Sequence, residues 1–122
     1  MMSVPSEEDF ARADRLAKER FRNLDVVAEH VKQHFMPICP LHNVYIFSER
    51  DVNFRACVFF KKDSDIEACK RGGIVDQIAE FIREELERAG RGKKEDTTVA
   101  FEIDSDENVD RSFAGGYWER LR

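Results

Sequence analysis

Residues 73–90, GIVDQIAEFIREELERAG, constrain this chain more than any other stretch. Ile74, Val75, Ile78, Ala79, Phe81, Ile82, Leu86 and Ala89 recur at spacings of three and four, while Asp76, Glu80, Arg83, Glu84, Glu87 and Arg88 fill the opposite side. That period predicts an amphipathic helix over residues 74–89, with Gly90 where a left-handed C-cap would end it. An apolar stripe of this length must be buried, so the flanking segments have to supply a surface for it.

They supply strands. Residues 54–61 alternate Phe54, Ala56, Val58 and Phe60 against Arg55, Cys57, Phe59 and Lys61, the period of a strand with two distinct faces. Residues 43–48 read as a second strand, joined to the first through the polar turn 49–53 as a hairpin. One face suits the 74–89 helix. The other carries Tyr45, Phe47, Cys57 and Phe59, and the N-terminal helix is the expected cover for it. Ser64 and Glu67 form a capping-box pair that would open a helical turn before Gly72-Gly73 interrupts it. Beyond the charged loop 91–96, residues 97–104 predict a third strand with Val99, Phe101 and Ile103 on one face, followed by an acidic turn at 105–110. Residues 112–122 are expected to return as a short fourth strand.

At the N-terminus, Ser6 and Asp9, with Glu7 and Glu8 between them, mark a helix start, and Pro37 marks its end. Phe10, Ala17, Leu24 and Val31 recur at heptad spacing within it. A straight helix over residues 6–36 would span about 45 Å, too long for a domain of this size. Either it breaks near Arg22-Asn23, or its Phe10 to Phe21 half makes a dimer or partner contact outside the core. The expected architecture is a single α+β domain over residues 6–122, after a flexible leader of residues 1–5. Its order is α-β-β-α-β(-β), a mostly antiparallel sheet with the 74–89 helix on one face and the N-terminal helix covering the rest.

The 122 residues, 42% of them hydrophobic and ten of them Phe, suffice for one core without disulfides. A net charge of -5 argues against nucleic acid or an anionic membrane as partner, and favours a basic protein. Three cysteines form no disulfide framework, the N-terminus has no basic start followed by an apolar core, and the longest apolar run is residues 56–60. The expected location is the cytoplasm.

Two clusters carry chemistry worth weighing. His30, His34, Cys39 and His42 fall close together, and the two helical histidines, four residues apart, project from one face. With Cys39 and His42 folded back they would complete a tetrahedral zinc site. Cys39-Pro40 followed by His42 would also suit a haem thiolate. The alternative is that these are ordinary surface and boundary residues. The second cluster is Asp104, Asp106, Asn108 and Asp110, spaced like the start of a calcium loop. Val109 stands where the sharp-turn glycine belongs and Gly115 where the bidentate glutamate belongs, so the pattern reads better as a solvated turn or, with Glu102 and Glu107, as an acidic patch for a basic partner. Tyr117 and Trp118 beside Arg120 and Arg122 have the composition of an interface hot spot, or of a segment closing the core. No G-x-S-x-G elbow is present, and no cysteine sits in a reactive context. Gly72-Gly73 lacks the rest of a phosphate loop, and the basic RGKK at 91–94 is balanced by Glu95 and Asp96. The chain is therefore expected to be a non-catalytic interaction module (adaptor, immunity or chaperone-like) that binds a protein partner or itself as a homodimer. Its contacts would be Asp104, Asp106, Glu107, Asp110, Tyr117 and Trp118. The alternative is a zinc or haem protein using His30, His34, Cys39 and His42. A deep pocket lined by Tyr45, Phe47, Cys57 and Phe59 would instead indicate a small apolar ligand.

Overall fold

The computed structural model describes residues 6–122; the expected leader, residues 1–5, lies outside them. The chain runs α1 (Glu7–Arg20), α2 (Leu24–Phe35), β1 (Leu41–Arg50), β2 (Asn53–Phe60), α3 (Asp63–Arg71), α4 (Ile74–Arg88), β3 (Thr98–Ser105), α5 (Asp106–Phe113) and α6 (Tyr117–Leu121), with a short 3-10 turn at Lys94–Asp96. The α+β class follows the sequence pattern. The sheet order is β1-β2-β3, with β1 antiparallel to β2 and β3 parallel to it. The parallel pair needs a crossover connection, and α3 with α4 provides it. No described helix is long and apolar enough to cross a membrane.

The N-terminal helical stretch does break where the span argument placed it. Ser6 and Asp9 close a capping box at the start of α1, and Asn23, at φ 62°, takes the left-handed conformation that separates α1 from α2. Leu24, Val27, Ala28, Val31 and Phe35 then face the core. They pack beside Ile78, Ile82 and Leu86 of α4 on a single face of the sheet, over Val44, Ile46, Phe54, Ala56, Val58 and Phe60. Gly73 (φ 78°) and Gly90 (φ 76°) bracket α4, and both positions require the freedom of a residue without Cβ. α3 opens ahead of Ser64, with the Asp65 carboxylate accepting the Lys62 backbone N–H.

The second face of the sheet is closed differently from the sequence expectation. Its cover is the C-terminus, not the N-terminal helix: Val109, Phe113, Tyr117 and Leu121 of α5 and α6 pack on Cys57, Phe59, Tyr45 and Phe47. Residues 112–122 accordingly form the end of α5 and then α6 rather than a fourth strand. The acidic stretch after β3 is the first turn of α5. Ser105 caps it by accepting the Asn108 N–H at 2.9 Å, with Asp106 and Glu107 at the positive end of the helix. Ala114, at φ 51°, reverses the chain so that α6 returns over Phe59. The result is three layers: α2 and α4, the sheet, then α5 and α6.

Candidate functional site

The fold separates the histidines and Cys39 that sequence proximity brought together. His30 Nδ1 lies 2.8 Å from Glu85 Oε2, joining α2 to α4, and Arg88 donates to the same carboxylate at 2.7 Å. These hydrogen bonds, that from His30 first, hold the Glu85 carboxyl below its usual range despite burial. His34 stacks on Phe81 with ring centroids 4.7 Å apart. The Cys39 thiol donates to the Phe35 carbonyl oxygen, and burial pushes its pKa up. His42 stands near the α6 layer, its Nε2 3.4 Å from Asp106 Oδ1. Each of the four thus has its own neighbour in the packing. Among the described residues no group of three or more His, Cys, Asp or Glu side chains is arranged to hold a metal ion.

Much of the expected acidic patch is committed inside the molecule. Arg55 embraces the Glu102 carboxylate with Nε and Nη2, and its Nη1 donates to the Leu121 carbonyl oxygen at 2.6 Å. Arg120 donates from Nε to Asp104 and from Nη1 to Glu102. Asn108 adds a hydrogen bond to Asp104 at 3.0 Å. Asp106 accepts the Tyr117 hydroxyl at 2.6 Å, and Glu107 accepts the Asp63 backbone N–H. Of the expected acidic contacts, Glu107 and Asp110 are exposed, whereas Asp104 and Asp106 are half-buried. The Arg55 hydrogen bond holds Glu102 below the usual carboxylate range. Burial raises Asp104, but Arg120, the Ser105 N–H and Asn108 together bring it below its ordinary value. Burial and the neighbouring Glu102 charge push the Cys57 thiol up to about 11, so it is a packing residue and not an activated nucleophile. The network rivets α6 to the sheet. Sequence reasoning missed it, although one signal was present: Arg55 alternates onto the same face as Cys57 and Phe59, where a charge demands a partner.

One open surface reaches α6 at Trp118. A groove of about 900 Å³ runs between the α1–α2 elbow and strand β1, lined by Phe21, Leu24, Tyr45 and Phe47 and ending at Trp118. Lys18, Arg22, Asp25, Glu29 and Lys32 rim it. Strand β1 is one of the two edges of the sheet and, among the described residues, pairs only with β2. Trp118 is 85% exposed although its neighbour Tyr117 is packed into the second-face core. Cys57 and Phe59 are wholly buried beneath α5 and α6 and do not line the groove, so among the described residues the pocket of Tyr45, Phe47, Cys57 and Phe59 that would have indicated a small apolar ligand is not formed. Among the described residues no histidine, cysteine, serine or threonine lines the groove; what it offers is apolar area with a charged rim of both signs.

Helix α1 borders the groove through Lys18 and its C-cap Phe21. None of its 14 residues is buried, and Phe10 and Leu16 are 62% and 64% exposed. Its base, however, is tied down. Arg20 donates to the carbonyl oxygens of Ser48 and Glu49 at 3.0 and 3.1 Å, and Arg91 donates to those of Arg20 and Arg22, each at 2.8 Å. Asn23 Nδ2 adds a hydrogen bond to the Ala89 carbonyl oxygen. The elbow is thereby fixed by polar contacts while the apolar side of α1 faces water.

No family model, no curated protein and no solved structure matches the chain.

Proposed function

We propose that this protein is a small non-catalytic interaction module whose docking surface is α1 together with the groove that ends at Trp118. One observation carries the proposal: a helix with no buried residue, presenting Phe10 and Leu16, projects beside an apolar groove and an indole that is 85% exposed. A helix of this length is marginal in water by itself, near the limit of about 12–15 residues. Its apolar side is useful to the chain only when another surface covers it. Trp, Tyr and Arg dominate the energetics of protein interfaces, and Trp118, Tyr45 and Arg22 meet in this groove. The acidic residues after β3 contribute less than their number implies, because Glu102 and Asp104 are neutralised by Arg55 and Arg120.

Photo-cross-linking in the producing cells tests this. A benzophenone amino acid placed at Phe10 or at Trp118 is expected to trap one defined chain, identified by its peptides. Yields should be several-fold above those from Lys70, which is exposed on α3 and outside the groove. Equal yields at all three positions, or no adduct at positions 10 and 118, would remove the proposal.

A further inference from the structure

Resting on that docking surface, we infer that its occupant is a second copy of this chain, bound through an antiparallel pairing of the two α1 helices. Phe10, Ala13, Ala17 and Phe21 follow one another at spacings of three and four, so they form one stripe along α1 and its C-cap. The stripe is nearly symmetric about its centre, with a large aromatic at each end and alanines between. Related by a twofold axis, Phe10 of one copy meets Phe21 of the other, and the alanines cross where the helix axes come closest. That self-complementarity is the requirement for an isologous dimer.

The charges select the antiparallel sense. The first turn of α1 holds Glu7, Glu8 and Asp9, and its last turn holds Lys18 and Arg20. Antiparallel pairing sets each acidic end against the basic end of the second copy. Beside the stripe, Asp14 and Lys18 share one flank and Asp9 and Arg20 the other. Like flanks face each other in an antiparallel pair, so Asp14 meets Lys18 and Asp9 meets Arg20. A parallel, in-register pair would place Asp9 against Asp14, two like charges.

Size decides what else the contact includes. Two helices of 14 residues bury less than the roughly 1,200 Å² at the lower end of stable interfaces. The twofold pairing, however, delivers Phe10 of the second copy to Phe21, which lines the groove with Phe47 and Trp118. The groove supplies the missing area on both copies. The dimer is expected to be reversible, with a Kd on the order of micromolar.

Sedimentation velocity of the full chain from about 1 to 300 μM spans that range. The wild-type chain should pass from monomer to dimer. Phe10→Glu should raise the Kd at least about 100-fold and leave the melting temperature of dilute, monomeric protein unchanged, since Phe10 is 62% exposed. The wild type should gain melting temperature over the variant as concentration makes it dimeric. Asp14→Lys should raise it about tenfold, and adding Lys18→Asp should recover most of the loss, because the double exchange restores both flank pairs. A dimer indifferent to Phe10→Glu would overturn the proposed pairing. A wild-type chain monomeric throughout, with adducts at positions 10 and 118 to a different protein, would overturn self-association and leave the interaction module standing. Monomer without such adducts would overturn both.

Discussion

Phe59→Ala is expected to cost about 3–5 kcal/mol, the range for removing a large aromatic from a closed core. Phe59 is completely buried at the centre of the second-face cluster. Its ring meets Tyr45 and Tyr117 edge-on, at centroid distances of 5.7 and 5.0 Å, and the Arg120 guanidinium lies over it. A domain of this size has about 5–15 kcal/mol in total, so the substitution should lower the melting temperature by roughly 10–20 °C. It should also release α6, whose five residues cannot hold a helix without the surface beneath them. Thermal unfolding followed by circular dichroism reads the first effect. Faster amide exchange across residues 117–121 reads the second. A loss below about 1 kcal/mol would mean that α5 and α6 do not close this face.

Arg120→Ala ranks next, at about 2–4 kcal/mol near neutral pH. Its side chain is 16% exposed and that of Asp104 14%, and Arg120 is the cation paired with Asp104. Glu102 keeps Arg55 after the substitution, whereas Asp104 is left with Asn108 and the Ser105 N–H. The pH dependence gives the test its sign. Asp104 and Glu102 both have carboxyls held below their ordinary values. Each contributes stability that is present above the unfolded pKa, near 3.9 for Asp and 4.3 for Glu, and is lost as the pH falls through the folded one. Denaturant melts should therefore show the gap between wild type and Arg120→Ala widest at pH 6–7 and closing as the pH approaches about 2. A gap that stays constant over that range would show that the ion pair is not its source.

The two effects explain which parts of the molecule could be read from its sequence. α4 was legible because a stripe such as Ile78, Ile82 and Leu86 repeats often enough to fix its own period, and Gly90 stops it. The hairpin was legible because Phe54, Ala56, Val58 and Phe60 alternate. Length alone made the elbow near Arg22-Asn23 one of two alternatives, and Asn23, at φ 62°, realises it. The C-terminus was not legible. Asp104, Asp106, Asn108 and Asp110 alternate like a strand or a cation loop, although Ser105 makes three of them the opening of a helix. α6 is too short for any periodicity to show. The apolar face containing Tyr45, Phe47, Cys57 and Phe59 announced that something must cover it, but the choice between α1 and α5–α6 depends on a reversal at Ala114 that is purely conformational. The histidines failed as a group for a related reason. Their spacing placed His30 and His34 on one helix, but Glu85 and Phe81, the groups they meet, come from α4. The groove was invisible for the same cause, being walled by α1, α2, β1 and Trp118 of α6. Only the apolar content of the Phe10 to Phe21 half, and the aromatics near the C-terminus, pointed toward the surface proposed for a partner.

Trp118 is the sole tryptophan of the chain, and it stands at the end of the groove. 19F NMR of protein labelled with 5-fluorotryptophan therefore addresses the docking surface directly, across a dilution series and then in unlabelled extract of the producing cells. A narrow, water-exposed signal in the most dilute sample, shifting and broadening as the chain is concentrated or meets the extract, is the predicted result. A signal already shielded in dilute protein, or one that stays narrow and unshifted under both conditions, would contradict the assignment of this surface to a partner.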